Sequence, residues 1–322
     1  MKIKRIGVLT SGGDGSGMNA CIRAVVRTAI HHKLEVCGIF KGYQGLIEGQ
    51  IKPLTRRSVS NILSYGGTIL KTARSPEFKT AGGQKRAKAV IDQYALDALL
   101  VIGGDGSFRG AHKFWQRYQV PVIGIPATID NDINGTDYTI GDDTAVNTAL
   151  SAIDKIRDTA TSLERIFVIE VMGRGSGYIA IQVGLAGGAE DVIMPEKKYS
   201  IDKMCAEIRT GHKKGKISWI IVVAEGAACA TEVAKKITKK TGLETRVTIL
   251  GHVQRGGPPS ADDRVLATRL GVAAVEAVIS GETDQMAAIV NNQVKLVKLT
   301  QAVKKKKTDN KALYKLLRIL SS

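Results

Sequence analysis

Aromatic residues make up only 5% of this chain, and nowhere do they alternate with basic ones. That scarcity removes the stacking surface on which single-stranded nucleic acid lies, and no RNP or helix-turn-helix signature replaces it. The four cysteines, Cys21, Cys37, Cys205 and Cys229, are scattered with no C-x-x-C among them. They read as free thiols of a reducing compartment rather than a disulfide framework. The five histidines lack zinc-ligand spacing, which argues against a structural zinc. No run approaches the roughly 18 apolar residues of a membrane helix. Lys2, Lys4 and Arg5 imitate the start of a signal peptide, but the apolar stretch Ile6–Leu9 is broken by Gly7 and too short for its core. The chain is therefore expected to be cytoplasmic, with neither membrane nor nucleic acid as a partner. G-x-x-x-x-G-K-[ST] is missing too, so no P-loop handles phosphate here.

What is present is a long, glycine-rich, basic sequence. Its 322 residues are 43% hydrophobic, enough for a large core and more easily split into two domains than held in one. The 35 glycines cluster in short loops rather than in a repeat. Lys and Arg number 47 against 30 Asp and Glu, a net charge of +17. Such a surplus attracts polyanions, phosphorylated metabolites among them, without choosing between them. The lysine run Lys304–Lys307, ahead of the apolar stretch Leu313–Leu320, reads as a solvated connection.

Short apolar runs alternate with helical patterns. Strands are expected at Ile6–Thr10, Val36–Phe40, Ala98–Ile102, Val120–Ile125, Ile166–Val171, Trp219–Ala224 and Val247–Leu250, all with the Val/Ile/Leu richness of strands covered on both faces. Helices are expected at Met18–His32, Gln84–Tyr94, Phe108–Tyr118, Thr144–Thr159, Ile201–Lys213 and Asp263–Ser280. The alternation predicts an α/β protein with mainly parallel sheets, whose ligands gather at the carboxyl ends of the strands.

Two loops at such ends echo each other. Gly12-Gly13-Asp14-Gly15 follows the first strand and Gly103-Gly104-Asp105-Gly106 the third, each leading into a helix. Glycine there lets backbone N–H groups approach a phosphate, and the helix start adds positive potential. Either loop alone reads equally well as an ordinary tight turn; the matched pair favours phosphate. After the fourth strand comes Pro126-Ala127-Thr128-Ile129-Asp130-Asn131-Asp132. If that segment is extended, Asp130 and Asp132 face one side, where a carboxylate can take the proton of a sugar hydroxyl. By itself the stretch reads as an Asx-rich turn. Arg74, Arg165, Arg174, Arg246 and Arg255, most of them at strand ends or beside Gly and His, add guanidinium groups that match phosphate oxygens.

Gly-Gly-Asp-Gly-Ser at 103–107, Thr-Ile-Asp-Asn-Asp at 128–132, Glu-Val-Met-Gly-Arg at 170–174 and Leu-Gly-His-Val-Gln-Arg-Gly-Gly at 250–257 occur together in the order and spacing of one family. From near residue 3 to about residue 295 the sequence resembles the bacterial-type ATP-dependent 6-phosphofructokinases. The resemblance implies two Rossmann-like three-layer α/β/α domains. One is an ATP-binding domain of residues 1–141 plus 254–303; the other, for fructose 6-phosphate and effector, is 142–253 plus 304–322. It implies transfer of the γ-phosphate of Mg-ATP to the C1 hydroxyl of fructose 6-phosphate, with Asp130 as general base and Thr128 and Asp132 beside it. Asp105 would hold Mg²⁺. Gly13, Tyr43, Arg74, Ser75, Gly104, Asp105, Gly106 and Ser107 would surround ATP, and Arg74 and Arg174 would offset charge on the transferring group. Met172, Gly173, Arg174, Glu225, His252 and Arg255 would hold the sugar phosphate, joined by Arg165 and Arg246 from a neighbouring subunit of a homotetramer. Arg23, Arg27, Arg56, Arg157, Gly188, Glu190, Lys214 and Lys216 match an effector site for ADP or phosphoenolpyruvate.

The family's pyrophosphate-dependent relatives typically carry Asp where this chain has Gly106 and Lys where it has Ala127, so ATP is the expected donor. Other departures from the usual pattern are Gly15-Ser16 in place of Ala-Pro, which should loosen that turn, Asn61 at an acidic effector position, and Ser75, Gln84 and Asp142. NAD and lipid kinases share the Gly-Gly-Asp-Gly loop but lack the other motifs. A non-catalytic polyanion-binding protein is the remaining rival.

Overall fold

The computed structural model describes residues 3–306 and 310–321. Its strands are β1 (Arg5–Ser11), β2 (Glu35–Ile39), β3 (Ile51–Leu54), β4 (Ala98–Gly103), β5 (Val122–Pro126), β6 (Ile166–Val171), β7 (Asp191–Ile193), β8 (Trp219–Ala224), β9 (Thr245–Ile249), β10 (Gln285–Val290) and β11 (Gln293–Lys298). Its helices are α1 (Met18–His31), α2 (Gly42–Glu48), α3 (Ala81–Gln93), α4 (Asp105–Tyr118), α5 (Asp142–Leu163), α6 (Tyr178–Ala186), α7 (Ile201–Lys213), α8 (Ala230–Thr241), α9 (Ala261–Ile279), α10 (Leu299–Ala302) and α11 (Lys311–Leu320). The described residues up to Thr144, together with Arg255–Lys306, form one compact unit. Ala145–Gln254 and the described residues beyond Lys306 form the other.

In the first unit seven strands run in the order β11-β10-β5-β4-β1-β2-β3. The central ones are parallel, and β3 and β11 are antiparallel additions at the two edges. The apolar faces of α1 and α9 cover one side of the sheet through Met18, Ile22, Val25, Leu270 and Val275, all fully buried. Leu46, Ile91, Phe108 and Phe114 from α2, α3 and α4 cover the other. A sheet buried on both faces explains why β4 reads as an unbroken apolar run. From β1 the chain builds outward first to β2 and β3, then to β4 and β5 on the opposite side. The direction of winding therefore reverses between β1 and β4, which is where open α/β sheets make their ligand crevice.

The second unit has a four-stranded sheet in the order β7-β8-β6-β9, parallel throughout. Met204, Cys205 and Ile208 of α7 and Val233 and Ile237 of α8 cover one face. The other carries α6, apolar along most of its surface, on which α11 lies with Leu317 buried. Tyr314 of α11 donates its hydroxyl to Asp191 at 3.0 Å, and Arg318 reaches Glu207 at 2.7 Å.

Three expectations need correcting. The last predicted strand, β9, is not covered on both faces: it is an edge strand paired only with β6, and Ile249 on it is 55% exposed. The lysine run is not wholly solvated either, because the partly buried Lys306 donates to Asn131; Lys307 lies outside the described residues. The loosening expected at Gly15-Ser16 is countered by a tie that Ala-Pro could not make. The buried Ser16 hydroxyl donates to the Gly257 carbonyl at 2.8 Å and so fastens the first glycine loop to the start of the segment before α9.

Asp142 is buried at the start of α5, where its Oδ2 accepts the Thr139 N–H at 3.1 Å. Burial pushes its carboxyl well above the usual range, and nearby Asp263 adds to the rise. A carboxyl raised in the folded state contributes stability that is complete below its unfolded value and is lost as pH rises through the folded one. Asp142→Asn keeps the acceptor and removes the charge. It should raise Tm by about 2–4 °C at pH 8, and the gain should vanish near pH 4, where even the unfolded carboxyl takes up its proton. Thermal unfolding of both proteins across that range checks the sign.

Candidate active site

Three loops of the first unit leave the carboxyl ends of the neighbouring strands β1, β4 and β5. The β1 loop holds Gly12–Gly17 ahead of α1, and the β4 loop passes through Gly104 directly into α4. They are tied together: Ser107 Oγ donates to the Ser11 carbonyl at 3.0 Å, and the Ala127 N–H to the Gly103 carbonyl at 3.0 Å. A Cβ on Gly106 would meet no protein atom within 4 Å, so the start of α4 has open space beside it, at the positive end of the helix. Asp105 opens that turn. Its Oδ1 accepts the Gly106 N–H at 2.6 Å, and its other oxygen pairs with Arg109 one helical turn on.

The Thr128–Asp132 stretch is a turn, not the extended segment that would put Asp130 and Asp132 on one side by strand alternation. Asn131 sits at φ 43°, in the left-handed region that asparagine tolerates better than most residues. Asp130 is 4% exposed, and its N–H donates to Thr128 Oγ1 at 3.2 Å; Thr128 and Asp132 are partly exposed. Thr139 Oγ1 in turn donates to the Thr128 carbonyl. The carboxylate loop is thus held by its own backbone and by the segment that leads to α5.

Tyr43 and Ser107 lie behind the loops rather than in front of them. Tyr43 is buried, stacked on Phe78 with ring centroids 3.9 Å apart, and its hydroxyl donates to the Ser107 carbonyl at 2.7 Å. Ser75 donates to Gln44, and Gln84 is buried and accepts from Arg117. Arg74 is exposed. The guanidinium of Arg255 lies over Gly13, donates to the Asp14 carbonyl and pairs with the Asp14 carboxylate at 3.1 Å. Arg255, assigned by resemblance to the sugar phosphate, is placed with the first glycine loop.

In the second unit the candidate residues gather at the carboxyl ends of β6, β8 and β9. The β6 loop carries Met172, Gly173 and Arg174. Its Arg174 N–H donates to Glu225 Oε1 at 2.9 Å, and its Met172 N–H to Gln254 Oε1 at 3.3 Å. A Cβ on Gly226 would overlap the Arg174 carbonyl, so only glycine lets the β8 loop approach this closely. Arg174 and His252 are exposed. At the opposite end of the strands Arg165 precedes β6 and Arg246 lies on β9. Arg165 donates to Glu244 Oε2 at 2.8 Å, and Arg246 pairs with the other oxygen. One carboxylate therefore gathers two arginines. Sequence reading missed Glu244, although an acidic residue two positions from Arg246 at a strand end was a usable signal; Arg109, four residues after Asp105 on a helix, was another.

The residues matched to an effector site divide by unit. Arg23 and Arg27 lie on α1, and Arg56 is exposed after β3. In the second unit Arg157 donates to the carbonyls of Gly187 and Gly188 at 2.5 and 2.7 Å. Glu190 is buried: its oxygens take the Ile220 N–H at 2.6 Å and the Lys216 ammonium at 3.0 Å. Lys214 is exposed. Among the described residues no three His, Cys, Asp or Glu side chains form a group able to hold a metal, and no helix is long and apolar enough to cross a membrane.

A family model described as phosphofructokinase matches residues 5–278. The chain is 53% identical over 319 residues to an ATP-dependent 6-phosphofructokinase of Bacillus licheniformis, covering 99% of this chain and 100% of that one. Among solved structures it resembles a phosphofructokinase from Saccharomyces cerevisiae at TM-score 0.90 and 37% identity, covering 99% of this chain and 48% of that one. A pyrophosphate-dependent phosphofructokinase from Marinobacter aquaeolei shares the fold at TM-score 0.85 and 24% identity, over 99% of this chain and 92% of that one. The fold is thus common to a pyrophosphate-dependent enzyme and to this chain, and the donor has to be read from side chains.

Proposed function

The chain belongs to the phosphofructokinase family, and we propose that it catalyses ATP-dependent phosphorylation of fructose 6-phosphate at the C1 hydroxyl. The observation that carries this reading is the set of adjacent strand ends, β1, β4 and β5, at the winding reversal of the first unit. They bring two glycine loops alongside the carboxylate turn.

The backbone N–H groups of the loop at 104–107 and the start of α4 hold phosphate oxygens of ATP. Gly106 leaves room for the nucleotide, whereas an aspartate there would fill part of that space with like charge. Asp130 accepts the proton of the C1 hydroxyl as its oxygen forms the new bond to phosphorus and the bond to the departing ADP oxygen breaks. Arg74 and Arg174 offset the charge that builds on the transferring group. Met172, Glu225, His252, Arg165 and Arg246 orient the sugar phosphate. Arg255, drawn in the structure toward Asp14, exchanges that partner for a substrate phosphate.

Mg²⁺ fits the residues present. It usually takes one or two carboxylates plus substrate phosphates rather than a cage of protein ligands. Asp105, at the mouth of the β4 loop, is such a carboxylate. When bound, the ion would offset negative charge on the phosphates of ATP.

The two arginines gathered by Glu244 beside the edge strand β9 support a homotetramer in which they serve a neighbouring subunit's substrate. The basic residues Arg157 and Lys216, with those on α1, support an ADP or phosphoenolpyruvate site. Four free cysteines, three of them buried, support a reducing, cytoplasmic setting.

Initial rates of fructose 1,6-bisphosphate formation, run in parallel with Mg-ATP and with Mg-pyrophosphate, test this reading. Turnover is expected with ATP alone. Turnover with pyrophosphate would overturn the donor assignment from Gly106 and Ala127. Folded, assembled protein inactive with both donors would overturn the acceptor assignment.

A further inference from the structure

The segment that closes the first unit braces the carboxylate turn at three successive points. The Gln301 carbonyl accepts from Asn134 Nδ2 at 3.2 Å, Lys305 forms an isolated antiparallel bridge with Ile133, and Lys306 Nζ donates to Asn131 Oδ1 at 2.9 Å. Asn131 is the residue between Asp130 and Asp132. It is 3% exposed and left-handed at φ 43°, and its Nδ2 donates to the Asp137 carbonyl at 2.9 Å. A buried side-chain amide must have its oxygen satisfied. Lys306 supplies that donor from 175 positions away in the chain.

We propose that Lys306 is a positioning residue for phosphoryl transfer: its ammonium, bonded to Asn131, holds the turn that presents Asp130 to the sugar hydroxyl. The inference rests on the reading of Asp130 as the base. Without the lysine the buried Asn131 oxygen would lose its partner, and that cost falls on the turn itself. The charge matters as well as the bond. Burial lowers the basicity of Lys306, while Asp142, Asp137 and Asp132 oppose that effect and favour the ammonium. In the sequence Lys306 belongs to an unremarkable basic run; only the fold takes it out of solvent and sets it on the catalytic turn.

The test compares Lys306→Met, Lys306→Arg and Asp130→Asn in the full-length assembled enzyme, by steady-state kinetics with Mg-ATP and fructose 6-phosphate and by thermal unfolding. A base displaced by a fraction of an ångström loses rate rather than affinity. Lys306→Met is therefore expected to unfold cooperatively, with kcat lowered about 10- to 100-fold and both KM values within about threefold. Lys306→Arg, which keeps charge and donor, should recover most of that loss. Folded Lys306→Met with an unchanged kcat, methionine and arginine variants that are equally slow, or a change confined to KM would overturn the proposal. If the methionine variant does not fold, Lys306→Ala takes its place with the same expectations. Normal turnover in Asp130→Asn removes the base assignment and this inference with it. A slow Asp130→Asn beside a fast Lys306→Met removes this inference alone.

Discussion

Asp130→Asn lowers kcat by about 10²–10⁴-fold, the contribution of a positioned general base, and leaves KM for ATP and for fructose 6-phosphate within about threefold. Asparagine has nearly the shape of aspartate and keeps one acceptor oxygen, so the turn and its Thr128 contact persist. What it lacks is a site for the hydroxyl proton. The attacking oxygen must then form its bond to phosphorus while still protonated, and that penalty falls on the transition state and not on the bound substrates. Asp130 is almost completely buried, which limits how readily water can replace it. A steady-state comparison of the two proteins at saturating substrate is sufficient. Turnover within tenfold of the unaltered enzyme would sink the assignment, and Asp132, two residues on and partly exposed, would be the next residue to replace.

Arg246→Ala has the second large effect, on the other kinetic constant. A charge-assisted hydrogen bond contributes about 1.5–3 kcal/mol. At about 1.4 kcal/mol per decade, KM for fructose 6-phosphate should rise about 10- to 100-fold, with kcat within about threefold and KM for ATP unchanged. The geometry explains why the loss falls short of complete. Glu244 gathers Arg165 as well as Arg246, so one guanidinium remains when the other is removed. It also explains why the effect belongs to binding: the 6-phosphate keeps its charge throughout the reaction, and the bond to it is as good before transfer as during it. An unchanged KM, measured at fixed saturating Mg-ATP, would show that Arg246 serves the surface and not the substrate.

Much of the site was legible because its signals are local. A glycine loop between an apolar run and a helix announces a strand end wherever it occurs, and Gly104, Asp105 and Gly106 lie where the spacing put them. The boundaries of β6 and β8 coincide with their apolar runs, since a strand buried on both faces has little choice of composition. The short strands β3 and β7 and the antiparallel pair β10–β11 carry weaker apolar patterns; they are made by their neighbours in the sheet more than by their own residues. β9 failed in the opposite way. Its apolar residues promised burial, and its place at the edge of the sheet leaves it half open.

By itself the sequence determined the class of fold and marked the candidates for its site: two glycine loops at strand ends, the carboxylate Asp130 and the small residues Gly106 and Ala127. Each of these depends on a handful of consecutive residues whose backbone preferences and chemistry act within one turn. Only the tertiary structure decided that Thr128–Asp132 turns instead of extending, that Tyr43 supports the Ser107 carbonyl from behind, that Ser16 ties its loop to Gly257, that Arg255 rests on Asp14 and that Lys306 reaches Asn131. Apart from the turn, whose own bonds are local, those contacts join residues 64 to 241 positions apart. Their energies exist only after the chain has closed the loops between them, and no local pattern records the partner in advance.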